Sequence, residues 1–261
     1  MPLQTIEPRR LYRQIADQLR ASIDAGEFVP GARLPPERDL ALQLGVSRPS
    51  VREALIALEM EGRIEVRMGS GIYVRAEPGA PGAAGTSAAR GRAGSEVGEG
   101  PLETIRARQL IEAELAGLAA ARMQAGEIGR LGDALAAMRR AVTRGQLPTT
   151  ADRQFHLCIA RAADNSVLLR LVSELFDERH TPLFRQLGHH FETAQSWARA
   201  LDEHQAVFDA IAAGSAPRAR RAMRTHLVNS HDRYTAGWPS EAPARAAPLR
   251  PRASATPRAI A

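Results

Sequence analysis

Asp152 and His156 stand four residues apart, so both side chains project from one face of a helix, and Ile159 and Ala163 continue that face toward an apolar interior. His204 shares a helical stripe with Val207, Phe208 and Ile211, and His226 shares one with Met223 and Leu227. Three imidazoles and a carboxylate on core-facing stripes of three helices have two readings. Each alone is an ordinary hydrogen-bonded core residue. Together they make a nitrogen and oxygen donor set, and convergence on a divalent cation would satisfy all four at once. Zinc is the first choice for such a set, with nickel, manganese and cobalt as alternatives, and an octahedral ion would keep two positions for ligand oxygens. Spacing alone leaves both readings open. Arg108, one turn before Glu112, is a second candidate. It is either half of an intrahelical ion pair or a bidentate fork for a carboxylate ligand.

Positioning these groups falls to residues 101–235, which read as helical throughout. Leu110, Ile111, Leu115 and Leu118 form one stripe, Leu131, Leu135 and Met138 another, and Phe155, Ile159 and Ala160 a third. No alternating strand pattern interrupts them. Thr150 is placed to cap the helix entering Ala151, and Asn165 or Ser166 the helix through Leu175. Ser215 would cap the last helix, with Pro217 in its first turn and Gly214 closing the helix before. The expectation is an antiparallel bundle of six or seven helices. His180, His189, His190 and His231 fall at helix ends or loops and read as surface residues.

A different module precedes the bundle. In Pro36–Leu44 the apolar Leu40, Ala41 and Leu44 recur at helical spacing, and Gly45 then permits the left-handed turn that ends a short helix. Ser47 is an N-cap for a second helix that buries Val51, Leu55, Ile56 and Leu58 and keeps Arg48, Ser50 and Arg52 on the opposite side. Cationic and polar groups at the start of such a second helix are what reading a DNA major groove requires. Ile64 and Val66, then Ile72 and Val74, alternate about Met68-Gly69-Ser70-Gly71 as two short strands with a tight tip. Helix, turn, helix and hairpin together describe a winged helix-turn-helix.

This segment closely resembles the N-terminal domain of the GntR superfamily of bacterial transcription regulators. The resemblance is carried by Leu11-Tyr12, by Leu34-Pro35-Pro36-Glu37-Arg38-Asp39-Leu40, by Val46-Ser47-Arg48 with Val51-Arg52-Glu53-Ala54-Leu55, and by Gly69-Ser70-Gly71. It implies DNA contacts from Arg38, Ser47, Arg48, Ser50 and Arg52 and from Met68 and Gly69 at the wing tip. The C-terminal part looks like the FCD ligand-binding domain of the FadR-like branch, through Arg108 and Glu112 with Leu118-Ala119-Ala120, Asp152 with His156, Asn165, Glu203-His204, and Ala222-Met223 with His226-Leu227. That resemblance implies a divalent metal on Asp152, His156, His204 and His226 and favours Arg108 as a carboxylate receptor. More loosely, Thr181-Pro182-Leu183-Phe184-Arg185, Ser196-Trp197 and Asp202-Glu203-His204-Gln205 look like regulators of sugar-acid catabolism.

Composition narrows the alternatives. The net charge of +6 suggests an anionic partner, yet all 35 basic residues are arginine, and residues 1–75 hold eleven of them against ten carboxylates. The placement of the arginines, not bulk charge, therefore supports DNA binding. A chain without lysine has no amine for a Schiff base, which excludes the pyridoxal-phosphate aminotransferase-like branch of the superfamily, and no phosphate loop ending in lysine is possible. The single cysteine, Cys158, lies on an apolar helical pattern and reads as a buried small hydrophobe. No apolar run reaches the roughly 18 residues of a spanning helix, so a cytoplasmic chain is expected. A metal-dependent hydrolase with a DNA-binding head would need a general base; Glu203, adjacent to His204, points about 100° away from it and is badly placed. An architectural DNA binder with a purely structural metal is the other alternative.

The expected fold is mainly α: an N-terminal winged helix-turn-helix over 1–75, a flexible linker over 76–100, an all-α antiparallel bundle over 101–235 and a disordered, arginine-rich tail over 236–261. The expected protein is a homodimeric repressor that binds an inverted-repeat operator in double-stranded DNA and answers to a small carboxylate effector, with no membrane partner and no enzymatic activity.

Overall fold

In a computed structural model of the chain, residues 10–76, 100–235 and Trp238 are described. The linker and the tail expected from composition lie almost wholly outside them. The chain divides into two compact units, one holding residues 10–76 and the other residues 100–235.

The first unit has three helices and a hairpin: α1 (Leu11–Asp24), α2 (Glu37–Leu44), α3 (Arg48–Met60), β1 (Ile64–Arg67) and β2 (Gly71–Val74). Tyr12, Ile15 and Leu19 of α1 and Leu40 of α2 bury against Val51, Leu55, Ile56 and Leu58 of α3. Gly45 adopts φ +66° between α2 and α3, a conformation that costs any other residue roughly 1–2 kcal/mol. Ser47 then caps α3, its hydroxyl accepting from the Ser50 amide at 3.3 Å. The strands pair antiparallel with Ile64 opposite Val74 and Val66 opposite Ile72, which is the expected alternation.

Seven α-helices make the second unit: α4 (Pro101–Arg122), α5 (Ala125–Thr143), α6 (Thr149–Arg161), α7 (Ser166–Asp177), α8 (Pro182–Phe191), α9 (Ala194–Ala212) and α10 (Ala216–Arg233). A single 3₁₀ turn, Glu178–His180, joins α7 to α8. The small side chains of Ala113, Ala116 and Ala120 let α4 and α10 pack closely. Phe155, Met138, Leu115, Val207 and Leu227 fill the centre. Asn165 caps α7 as expected, accepting from the amides of Val167 and Leu168 at 3.0 and 3.2 Å.

Four expectations need correction. Ser215 stands at the N-cap position of α10, but its side chain makes no capping hydrogen bond. Thr150 lies inside α6, whose N-cap position is Pro148, so it caps nothing. Leu110 is 76% exposed, because the stripe of α4 that faces the core runs through Arg108, Glu112 and Leu115 instead. Cys158 is half-buried at the edge of the core.

Candidate functional site

Helix α6 presents Asp152 and His156 one turn apart, α9 presents His204 and α10 presents His226, and all four side chains are buried. One donor atom from each lies within 4.8 Å of the others. Donors on an ion at 2.0–2.2 Å lie about 3.3–3.6 Å apart in a tetrahedral shell and up to about 4.4 Å apart when trans in an octahedral one, so the set would have to draw in by as much as about 1 Å around a tetrahedral ion and by less around an octahedral one. The ring centroids of His204 and His226 are 4.2 Å apart, and His156 Nε2 is 3.2 Å from His204 Nε2.

The reverse sides of the rings decide which nitrogen faces inward. His156 Nδ1 donates to Glu112 Oε2, His204 Nδ1 to the Ala200 carbonyl at 2.7 Å, and His226 Nδ1 to Glu203 Oε2 at 2.9 Å. Carboxylate and carbonyl oxygens only accept, so the shared proton of each contact sits on Nδ1. In the neutral ring, Nε2 then carries the lone pair. Nδ1 held by a carboxylate or carbonyl while Nε2 faces the centre is how metal-binding histidines are oriented. The donor set, the spacing and the ring orientation therefore fit a divalent cation.

The electrostatics agree. Burial alone would raise the Asp152 carboxyl, but the neighbouring His156 and His204 rings and the charge of Arg179 hold it well below its ordinary value. Burial would likewise raise Glu112, yet Arg108 and His156 bring it down to about 2. Burial, with His204 beside it, lowers His226 to about 3, so that ring is neutral and free of a competing proton at ordinary pH. At His156 burial is outweighed by Glu112 and Asp152, which raise it, so an ion binding there would take the place of a ring proton.

Arg108 makes the expected intrahelical ion pair and also faces a cavity. Its Nε donates to Glu112 Oε1 at 2.6 Å, its guanidinium lies 3.9 Å from the Phe176 ring centroid, and it lines a small cavity with Asp152 and His226. Sequence reasoning missed three further residues and the anchoring role of a fourth, Glu203. Glu203 anchors His226 and also accepts from Asn229 and Arg233, so it faces away from the centre and is no general base. Arg179, on the 3₁₀ turn, donates to Asp152 Oδ2 at 3.0 Å and to Glu192 Oε1 at 2.7 Å, and Tyr234 donates to the same oxygen of Glu192. Neither periodicity nor spacing marks these last three.

In the first unit, Arg38 is exposed on α2, Ser47 and Arg48 are exposed at the start of α3, Ser50 is half-buried, and Met68 and Gly69 stand exposed at the hairpin tip. Arg52 departs from expectation. It is buried, because Glu37 of α2, itself fully buried, draws the side chain inward to a 2.7 Å bond between Arg52 Nε and Oε2; the other carboxylate oxygen takes Arg48 Nε at 2.8 Å. Burial lowers the Arg52 guanidinium below its usual range. Its Nη1 has no hydrogen-bond partner.

Comparison with known proteins identifies both units. Residues 11–74 match the family described as bacterial regulatory proteins, gntR family, and residues 103–229 match the FCD domain. The chain is 36% identical to the Exu regulon transcriptional regulator of Escherichia coli K12 over 87% of its own length and 86% of that protein's. It is 34% identical to the Uxu operon transcriptional regulator of the same strain, over 86% and 87%. To the HTH-type transcriptional regulator LutR of Bacillus subtilis it is 34% identical, over 80% and 94%. These relatives are transcription regulators, not enzymes, and no described helix is long and apolar enough to cross a membrane. The chain is thus a DNA-binding regulator responding to a small molecule, and it belongs to the GntR family, in the FadR-like branch that carries an FCD domain.

Proposed function

We infer that the chain is a cytoplasmic, homodimeric repressor whose operator affinity is set by a small organic acid bound beside a divalent metal in the helical unit. The observation that carries this reading is the set of three imidazoles, each held by its Nδ1 on Glu112, Ala200 or Glu203, with the Nε2 atoms of His156 and His204 3.6 and 3.0 Å from Asp152 Oδ1 and His226 within the same cluster. Zinc fits four such donors best, with nickel, manganese and cobalt behind it. When bound, an octahedral ion would keep two positions open to carboxylate and hydroxyl oxygens of the effector, and a tetrahedral zinc would have to expand its shell to accept them. Arg108 supplies charge on the same side, since it lines the cavity that Asp152 and His226 border. A sugar acid is favoured by the segments noted in the sequence: Trp197 borders that cavity, and Phe184 and Arg185 border a second one nearby. The names of the relatives, regulators of the Exu regulon and the Uxu operon, accord with control of a catabolic gene set.

On the DNA side, exposed Arg48 and half-buried Ser50 would meet base edges from the start of α3, with Ser47 and Arg38 on the phosphates and Met68 and Gly69 along the adjacent groove. Arg52, buried on Glu37 with its Nη1 unpartnered, would reach the DNA only by turning outward from that place. Two such heads on an inverted repeat multiply a modest single-head affinity, which is the reason for a dimer. The test is binding of the purified chain to its own promoter DNA at fixed salt, with and without a panel of sugar acids, hydroxy acids and dicarboxylates. Release by one acid supports the reading. Tight, specific binding indifferent to every acid leaves only a structural metal and refutes it.

A further inference from the structure

One side of the Asp152 and histidine cluster is closed by a short polar chain. Arg179 bridges Asp152 and Glu192, and Tyr234, just past α10, donates to the Glu192 oxygen that Arg179 also holds. Glu192 is the first residue beyond α8. Its carboxyl group has room there because residue 188 is glycine: a Cβ at that position would come within 3.3 Å of Glu192 Cδ. With Glu192 in place, the cavity it lines together with Arg108, Asp152, Arg179 and Trp197 is only about 30 Å³, far below the roughly 300–1,000 Å³ of a typical ligand pocket. The Trp197 indole N–H, although buried, has no hydrogen-bond partner, and leaving a buried donor unmade is costly. Glu192 and Arg179 also line a second cavity of about 420 Å³, whose other walls include Arg153, His180, Arg185 and His189.

We propose that Glu192 is an internal stand-in for the effector's carboxylate: a hydroxy or sugar acid displaces it from Arg179 and Tyr234, and Glu192 turns toward the larger, cation-lined cavity. This rests on the reading that an organic acid binds beside the Asp152 and histidine cluster. The exchange replaces one carboxylate by another, so Arg179 never becomes an uncompensated buried charge. A further oxygen of the acid, a hydroxyl or carbonyl, accepts from Trp197 Nε1, which adds a bond that the closed site lacks. A neutral sugar cannot make this exchange, because it would leave the buried Arg179 with Asp152 alone in place of its two carboxylate partners. The ligand class is therefore an acid bearing at least one additional oxygen close to its carboxylate.

Calorimetric titration of the full chain, incubated with zinc, with D-glucuronate, L-lactate and D-glucose tests this. Glu192→Gln keeps the size and the hydrogen-bonding oxygen but loses the charge, and it should bind at least one of the two acids about tenfold more tightly than the unaltered chain. Gly188→Ala, whose new methyl crowds the Glu192 carboxyl group, should shift affinity in the same direction, and D-glucose should bind to neither variant. Acid affinity unchanged or reduced in both variants, including no binding by any form, overturns the stand-in. Elemental analysis of the same samples keeps the two readings apart. Full metal with no gain in affinity removes the stand-in alone, whereas absence of metal removes the metal centre, and the Glu192 proposal is then still judged on acid affinity.

Discussion

Arg52 Nε lies 2.7 Å from Oε2 of Glu37, so a residue expected to reach for DNA is anchored at its root to a fully buried carboxylate one helix away. Because Glu37 also holds Arg48 Nε at 2.8 Å, one acid sets the direction of both arginines on α3. Glu37→Gln removes its charge and should weaken operator binding at least tenfold. Hydrogen bonds to charged groups contribute roughly 1.5–3 kcal/mol each, so the helix-turn-helix unit should also lose stability on that scale. Operator titration and urea unfolding of the same variant check both halves; full operator affinity would show that the anchor is incidental to DNA binding.

Arg38 and Arg48 should separate position from reading. Arg38 is largely exposed, with only a 3.5 Å ionic contact to Asp39, and its expected partner is a phosphate. Arg38→Ala should weaken binding about equally on operator and unrelated DNA and lower the salt slope by about 1. Arg48→Ala should cost about 1–3 kcal/mol on the operator while nonspecific affinity barely changes. Equal loss on both DNAs for Arg48→Ala would remove its base-reading role.

Glu112 and Glu203 each hold the Nδ1 of one histidine without facing the centre. Replacing such an orienting carboxylate typically costs 10–100-fold in metal affinity. Glu112→Gln and Glu203→Gln should each weaken zinc binding within that range in a competition titration against a chromogenic chelator. Unchanged affinity in both would mean that the rings are oriented by packing alone.

Phe155 sits fully buried beneath the cluster, its ring edge-on to His156 and His204 at centroid distances of 5.7 and 5.0 Å. Phe155→Ala should destabilise the helical unit by roughly 3–5 kcal/mol. Because that ring also holds the two imidazoles in place, metal affinity should fall in parallel. Thermal unfolding with and without zinc measures both, and stability within 1 kcal/mol of the unaltered chain would contradict the packing described.

What could be read in the sequence was whatever depends on local spacing. The turn at Gly45, the cap at Ser47, the strand alternation about residues 68–71 and the one-turn separation of Asp152 and His156 all follow from backbone periodicity, and the structure has each of them. The convergence of three helices on one point was not readable from spacing, which is why the cluster kept an alternative reading as separate core residues. Glu112 meets His156 across 44 positions and Arg179 meets Asp152 across 27, distances over which no periodicity carries information. Arg52 was misplaced for a related reason. Its position on α3 was right, but the side chain's direction is set by Glu37 on α2, and a helical wheel cannot contain that partner.

The most direct test of the metal centre is elemental analysis of the full chain after zinc incubation and exhaustive dialysis, with His204→Ala/His226→Ala treated alongside. The expected result is one zinc per chain in the unaltered protein and none in the double variant, with both folded by circular dichroism. Stoichiometric zinc in the double variant, or none in the unaltered chain, would contradict the assignment of Asp152, His156, His204 and His226 as its ligands.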